Sequence, residues 1–525
     1  MITVAKGKLI VALVLSVIIA FFVYYFWYSE KGLDPNTIVV SIDRMPDVLN
    51  PVLSRNAQAL IISRPVFGGI TKPSGEKVSD FSLDVASEIN QREDEKNVYD
   101  IVMRQGVKWH DGRDLTARDI LYTYQCLKEP DNKSPLRGYI NELIRDITVQ
   151  DELHLTIEFV TPIAPGDALW VLDFGLIPSV FRNKSMPINL LRSSIGMDFS
   201  KEPVGLGPYQ VESIGNNQVK LRRATNDALV ENVVFQLQYD VAIRVKKLID
   251  QKVDLLLDVD PQYFEELKKA GIQYCDYLPF AFYAVAYNLQ RYPFSDAVFR
   301  RALNASLDKR KVARDALSGE NGDNYVNYGP FPHNAHRLFR QFKEVFPYDP
   351  SKAKDLLARS SYRGERLELI YPSSYGSMGE RIARSVADMF RRLGIAVEVI
   401  ELGRNFFSKL ESRDYSMAVV YETGFNRQYN IVPLFHSQGA RNITGLRDGK
   451  TDELLLSWEN TVIMDEKYPL SKELHQRISE VVPYTFLFTL PKRAYFSRRL
   501  KEVNIVDADA ILGSISKWRI DVEAH

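Results

Sequence analysis

Two charged residues near the carboxyl-terminal end of the chain have the chemistry of recognition. The segment Tyr421-Glu422-Thr423-Gly424-Phe425-Asn426-Arg427-Gln428-Tyr429 sets one carboxylate among aromatic side chains. A carboxylate in such a setting can pair with a cationic group, with Thr423 in the same segment and Tyr421 and Phe425 as apolar or stacking walls. Arg441 follows in Arg441-Asn442, and its planar fork suits a carboxylate ligand held by two parallel hydrogen bonds, or equally a structural role. The competing expectation is a Glu422 solvated at a strand end beside Arg427, where an ion pair contributes little.

Nothing in the chain has the pattern of a reaction centre. There is no nucleophile elbow, no His-Glu-x-x-His and no Cys-x-x-Cys, and the seven histidines are scattered. The one close pair, in His333-Asn334-Ala335-His336, follows Gly329-Pro330-Phe331-Pro332 in what reads as a loop. The expectation is a binding protein with no catalytic residue, no metal and no cofactor. The 67 Lys and Arg balance the 67 Asp and Glu, with no long basic block, which argues against a nucleic-acid partner. Cys126 and Cys275 are far apart and are expected as two separate buried thiols.

The elements that must position these residues alternate between strands and helices. Thr37 to Ile42 is a β-branched run that reads as a strand, and Ala57 to Arg64 reads as a helix stopped by Pro65. Tyr99, Ile101 and Met103 share one strand face, Asp111-Gly112 makes a turn, and Thr116 with Asp119 forms a capping box for a helix carrying Ile120, Tyr124 and Leu127. Trp109 and His110 within that unit are expected as core and turn residues. Val233 to Tyr239, the apolar stripe Val241, Val245, Leu248 and Ile249, and Val253 to Val259 predict a βαβ unit. Leu367 to Tyr371, the helix face from Ile382 to Leu393 and the strand Ile395 to Leu402 predict a second. Met417 to Val420 reads as a strand, and Ser295 is the expected cap of a helix carrying Val298, Phe299, Ala302 and Leu303. A chain of 525 residues needs two or three such cores.

Residues 9–28 are uncharged and strongly apolar, and about 20 residues is what a helix needs to cross a bilayer. Lys6 and Lys8 precede this run and place residues 1–8 in the cytoplasm, with everything after Tyr28 outside. A cleaved signal peptide would have a shorter apolar core and a small-x-small site, which Phe26-Trp27-Tyr28-Ser29-Glu30 lacks. The tether of residues 29–36 reaches less than roughly 30 Å when extended, so the body is expected to stay near the membrane.

The run from Gln105-Gly106-Val107-Lys108-Trp109-His110-Asp111-Gly112 to Ile120 resembles a signature of the family 5 extracellular solute-binding proteins, the receptors of peptide, nickel and oligosaccharide ABC importers. Pro203-Val204-Gly205-Leu206-Gly207-Pro208-Tyr209 and the stretch from Tyr287-Asn288 to Asp308 match two further signatures. The resemblance implies an α/β bilobed clamshell of the periplasmic-binding-protein type with an extra inserted domain, here behind one transmembrane helix. It implies a first lobe from 37–75, 205–275 and 486–525, an inserted domain at 76–204 and a second lobe at 276–485, with crossings near Cys275 and Thr485. Met45, Pro46 and Asp47 lie where relatives line the ligand cleft. The Asp-rich stretch with which peptide-binding relatives hold a peptide amine is replaced here by the segment around Glu422, and it is this resemblance that makes the segment a ligand-site candidate. Lipoprotein relatives keep a cysteine after the apolar run, and this chain has none there. The implied function is capture of a peptide or other small polar solute by a monomer and delivery to a permease with its ATPase subunits. The alternative is an anchored sensor or accessory module that keeps the clamshell without transport.

Overall fold

The computed structural model describes residues 33–73, 81–257, 259–277, 279, 281–317, 325–331, 341–422, 431–461, 464–490, 492–505 and 511–521. The apolar run of residues 9–28 lies outside them, and no helix among the described residues is long and apolar enough to cross a membrane.

The body opens on strand β1 (Thr37–Ile42), whose Ile38, Val40 and Ile42 are buried. The strands β2 (Ala86–Gln91), β3 (Val98–Met103), β4 (Ile144–Val149) and β5 (His154–Phe159) then form a four-stranded antiparallel sheet in the order β2-β3-β5-β4. Helices α1 (Ala117–Lys128) and α2 (Arg137–Leu143) pack on β4, and α3 (Pro165–Val171) packs on the two-stranded pair Thr71–Pro73 and Phe81–Leu83. The Thr116 and Asp119 capping box starts α1 as the sequence predicts.

The chain next adds β6 (Tyr209–Ile214), β7 (Gln218–Arg223), β8 (Asn232–Leu237), helix α4 (Val241–Ile249), β9 (Leu255–Leu257) and β10 (Gln273–Tyr277). It crosses over residues 278–281 into β11 (Phe282–Tyr287) and helix α5 (Ala297–Ala305). The cap of α5 is Asp296, whose carboxylate accepts the Val298 N–H, and not the expected Ser295. Then follow β12 (Leu367–Pro372), helix α6 (Gly376–Arg392), β13 (Val397–Leu402), β14 (Met417–Glu422), helices α7 (Gly449–Asn460) and α8 (Met464–Val481), and β15 (Tyr484–Phe488). Residues 489–491 return the chain to β16 (Lys492–Phe496).

Both main sheets are mixed, where the sequence predicts parallel cores. The seven-stranded sheet has the order β6-β7-β8-β1-β9-β16-β10, with β1 parallel to β8 and β9 and the remaining pairs antiparallel. The five-stranded sheet runs β13-β12-β14-β11-β15, parallel across β12 and antiparallel through β11. Both predicted βαβ units are present, and β1 is the strand that fits between β8 and β9. One apolar cluster joins β1, β7 and β8 to the four-stranded sheet, so the first lobe and the inserted sheet share a core. The second lobe is linked to them by the two crossings. In each main sheet the parallel strands end at the edge where these crossings run, so the two carboxyl edges meet there, where open α/β sheets bind ligands.

The root of the chain is fixed by a buried ion pair. Asp254 is fully buried and holds Arg499 through Nε and Nη2, each at 2.7 Å. The same guanidinium donates to the Thr37 carbonyl at 2.7 Å and the Asp34 carbonyl at 2.9 Å. Ser497 and the Val39 N–H supply further donors to Asp254. Every strong group of this pair is used inside the protein.

Candidate functional site

Strand β14 runs to Glu422, two residues beyond the predicted strand, and alternation sends its last two side chains to opposite faces. Tyr421 stacks on Tyr283 of β11, with ring centroids 4.5 Å apart and an angle of 30°. Tyr375, from the turn before α6, stands edge-on to Tyr283 at 6.0 Å and accepts the Tyr421 N–H at 2.8 Å. These rings form an aromatic wall at the carboxyl edge of the second lobe.

Glu422 points to the other face and is 6 % exposed. Its Oε2 accepts from Arg441 Nη2 at 2.6 Å, and the Arg441 side chain keeps 39 % of its surface. Arg441 is placed by its own backbone, which donates to the Pro433 carbonyl at 2.9 Å, and by a turn built on Asn442. The Asn442 amide oxygen accepts the Leu446 N–H at 3.0 Å and its amide nitrogen donates to the Leu446 carbonyl at 2.8 Å, with Gly445 at φ +69° between them. Burial pushes the Glu422 carboxyl up, against the pull of Arg441 in the other direction. Burial also raises Tyr415, Tyr375 and Tyr484, and the Glu422 charge adds to each. The Tyr484 hydroxyl is buried with no hydrogen-bond partner.

The structure therefore corrects both expectations for Glu422. It is neither solvated nor an open anion, because it is buried and Arg441 already pairs with its charge. The two residues that the sequence assigns to different ligand groups are one ion pair, of which the Arg441 side chain is the more exposed member. Thr423, Phe425, Arg427, His333 and His336 lie outside the described residues. Among the described residues no cluster of His, Cys, Asp or Glu could hold a metal ion. Cys126 and Cys275 are both free thiols.

On the first lobe, Met45, Pro46 and Asp47 sit in the loop after β1, at the carboxyl edge. Asp47 is exposed and its carboxylate accepts the Val48 N–H at 3.0 Å and the Arg55 N–H at 3.1 Å, while the Met45 carbonyl accepts from Asn56 at 3.1 Å. Asp260, after β9, reaches across to the amino-terminal turn of α6, where Ser377 Oγ lies 3.5 Å from it. The sequence gives no sign of Asp260, Tyr283 or Tyr375. An aromatic in an apolar strand reads as core, and an aspartate before a proline reads as a turn.

The motifs at residues 105–120 and 203–209 meet each other away from this edge. Trp109 is 2 % exposed and its indole N–H points to Asp119 at 3.4 Å. His110 accepts the Gly205 N–H at Nδ1 over 3.2 Å and donates from Nε2 to the Gly207 carbonyl over 2.9 Å. Those two roles require the neutral imidazole with its proton on Nε2, and burial lowers its pKa accordingly. A Cβ on Gly205 would come within 1.9 Å of the Val66 carbonyl, and one on Gly207 within 2.3 Å of that of Pro65. Glycine is required there by close backbone approach, and the motif is a joint between the inserted sheet and the first lobe.

Comparison with known proteins agrees with this architecture. The oligopeptide-binding protein AppA of Bacillus subtilis is 23% identical over 482 residues, covering 86% of this chain and 86% of AppA. The ABC transporter substrate-binding protein CtaP of Listeria monocytogenes superposes with a TM-score of 0.80 at 19% identity, over 93% of this chain and 99% of CtaP. NikZ of Campylobacter jejuni, solved with Ni(L-His), superposes with a TM-score of 0.75 at 20% identity, over 93% of this chain and 100% of NikZ. At such identities the superpositions speak to the fold alone. The family described as bacterial extracellular solute-binding proteins, family 5, middle region, matches residues 80–442. The chain thus belongs to the family 5 bacterial extracellular solute-binding proteins, which bind solutes and are not enzymes.

Proposed function

We propose that this protein captures a peptide-class or similarly small polar solute between its two lobes and delivers it to the permease of an ABC importer. The observation that carries this reading is the family match over residues 80–442 of a chain whose two carboxyl edges meet at the crossings. The oligopeptide-binding relative supports a peptide ligand. We assign the first lobe to 37–75, 205–275 and 486–525, the inserted domain to 76–204 and the second lobe to 276–485. Residues 9–28 form the membrane anchor, with residues 1–8 in the cytoplasm, residues 29–36 as tether and a monomeric body outside. Closure is a population shift, since contacts from both lobes favour the closed state.

Within the cleft, Arg441 presents its guanidinium to an anionic group of the ligand while Glu422 holds it in place. Tyr421, with Thr423 and Phe425 next to it, forms the second-lobe wall. Met45, Pro46 and Asp47 face it from the first lobe. A peptide carboxylate suits Arg441, and an amine suits the exposed Asp47. Native mass spectrometry of the protein purified without denaturation tests this reading: a bound peptide mass, lost on unfolding and reduced in Arg441→Met, is expected. A protein that is empty and whose melting temperature ignores peptide pools would refute it.

A further inference from the structure

One carboxylate of the first lobe stands at the head of a helix of the second. Asp260 follows β9 and starts the turn Pro261–Tyr263, where its Oδ1 accepts the Gln262 N–H at 2.9 Å and its carbonyl accepts the Tyr263 N–H at 3.0 Å. These bonds fix the side chain on its own lobe and turn the carboxylate toward the other. Ser377 Oγ lies 3.5 Å from Oδ1, and a Cβ on Gly376 would lie 3.4 Å from Oδ2. Both carboxylate oxygens therefore face the first two residues of α6.

The start of α6 lacks a negative charge of its own. The helix is 17 residues long, its cap residue Tyr375 makes no side-chain bond to it, and its first turn holds no acidic residue. The Tyr375 hydroxyl is committed to the Tyr421 N–H, and Glu380, one turn on, is paired with Arg384 at 2.6 Å. Free N–H groups and aligned peptide dipoles at such a start favour an anion. The Ser377 hydroxyl accepts from Arg381 Nη1 at 2.9 Å, which leaves its own proton for Asp260. Burial lowers the Arg381 guanidinium, and the Asp260 charge is the larger of the two that oppose this. Around the contact the lobes also meet through apolar side chains: Val259 and Phe264 of the first share one buried cluster with Tyr283 and Ile382 of the second.

We propose that Asp260 is a latch between the lobes: its carboxylate supplies the head of α6 with the charge that the second lobe does not, and so stabilises the closed form. Opening about the crossings withdraws Asp260 from α6 and returns both to water. The latch needs no solute, so it sets how readily the empty receptor closes, and ligand contacts in the cleft add to it. What closure serves rests on the transport reading above; the latch itself rests on the contact.

The test is the distribution of distances between spin labels at Asn216 and Arg404 in the full-length protein without ligand, with the half-buried Cys275 replaced by serine. Both labelled positions are exposed. Asn216 lies in the turn between β6 and β7, which a bond from the Leu237 N–H to the Asn217 carbonyl places at the carboxyl end of β8, and Arg404 follows β13. They stand on the carboxyl edges of opposite lobes, so their separation grows on opening. Asp260→Asn keeps an acceptor for the Gln262 N–H and removes the charge. It is expected to raise the ratio of long to short distances about two- to fivefold, the range for a carboxylate at a helix start. Ser377→Ala is expected to shift the ratio the same way by less, and it decides the matter should Asp260→Asn not fold. An unchanged distribution in Asp260→Asn, a shift to shorter distances, or a parent that shows the long distance alone would overturn the proposal. A protein that carries no solute in native mass spectrometry would refute the transport reading and leave this measurement untouched.

Discussion

Two arginine–carboxylate pairs, one at the amino edge of the seven-stranded sheet and one at the carboxyl edge of the five-stranded sheet, do different work. At the root of the chain, Asp254 and Arg499 are 0 % and 6 % exposed, and the guanidinium is closed off by two carboxylate oxygens and two backbone carbonyls. At the carboxyl edge of the second lobe, Glu422 is also buried, at 6 % exposed, but Arg441 keeps more than a third of its side chain in solvent. The first pair has no capacity left for anything outside the protein, so it fixes where the chain enters the sheet. The second keeps part of its arginine side chain at the surface, which is the part the proposed ligand contact uses. Burial of the carboxylate alone does not distinguish the two pairs; the exposure of the arginine does.

The largest expected effect follows from breaking the closed pair. Arg499→Ala strands a fully buried carboxylate and frees the Asp34 and Thr37 carbonyls, so unfolding should become easier by about 3–5 kcal/mol, measured by urea denaturation. A loss below about 1 kcal/mol would put this pair on the same footing as an exposed one. Arg441→Ala should cost less, about 2 kcal/mol, since water can reach part of the gap. It should also change the pH response. Without Arg441, burial alone acts on Glu422 and raises its folded pKa further, so the folded state binds the extra proton. Stability of the variant is then highest below about pH 4.5 and falls as the pH rises through the folded value. Glu422→Gln in the same background should remove that fall. If both variants had the same pH profile as the parent, Glu422 would not be the group left unpaired.

The difference between these pairs also marks what the sequence could reveal. Units whose signals are local were legible: the Thr116 and Asp119 box sits three residues apart, and the periodicities of β8, α4 and β9 specify a βαβ unit without reference to the rest of the chain. Their partners in the sheet were not, because β1 and β16 pair with β9 from sequence positions more than two hundred residues away. Glu422 was visible as a carboxylate among aromatics, but its pairing depends on the Asn442 turn folding Arg441 back over 19 residues of chain. Ser295 and Asp296 are adjacent and both can cap, and only the backbone geometry of the helix start separates them. Their pairing with each other was not legible for the same reason: each residue was read against its own neighbours.

A joint that carries no charge sharpens the contrast further and should give the smallest effect. His110 connects the Gly205 N–H to the Gly207 carbonyl, and its two nitrogens are satisfied only in the neutral form. Its pKa is lowered by burial, so between the folded value and the ordinary value of about 6.5 the unfolded chain binds more protons. The stability it contributes is complete above about pH 6.5 and declines as the pH falls below that. This is the reverse of the response predicted for Glu422 once Arg441 is gone. His110→Gln should cost about 1 kcal/mol at pH 8 through a poorer hydrogen bond, and the gap between variant and parent should narrow from pH 6.5 toward pH 5. A gap that widened on acidification would mean that the protonated imidazole is the stabilising form, and the two glycine contacts would then have to rearrange around a second donor. The acid side of the stability curve thus reads the joint, and the variant curve above pH 4.5 reads the site, in one protein and with opposite signs.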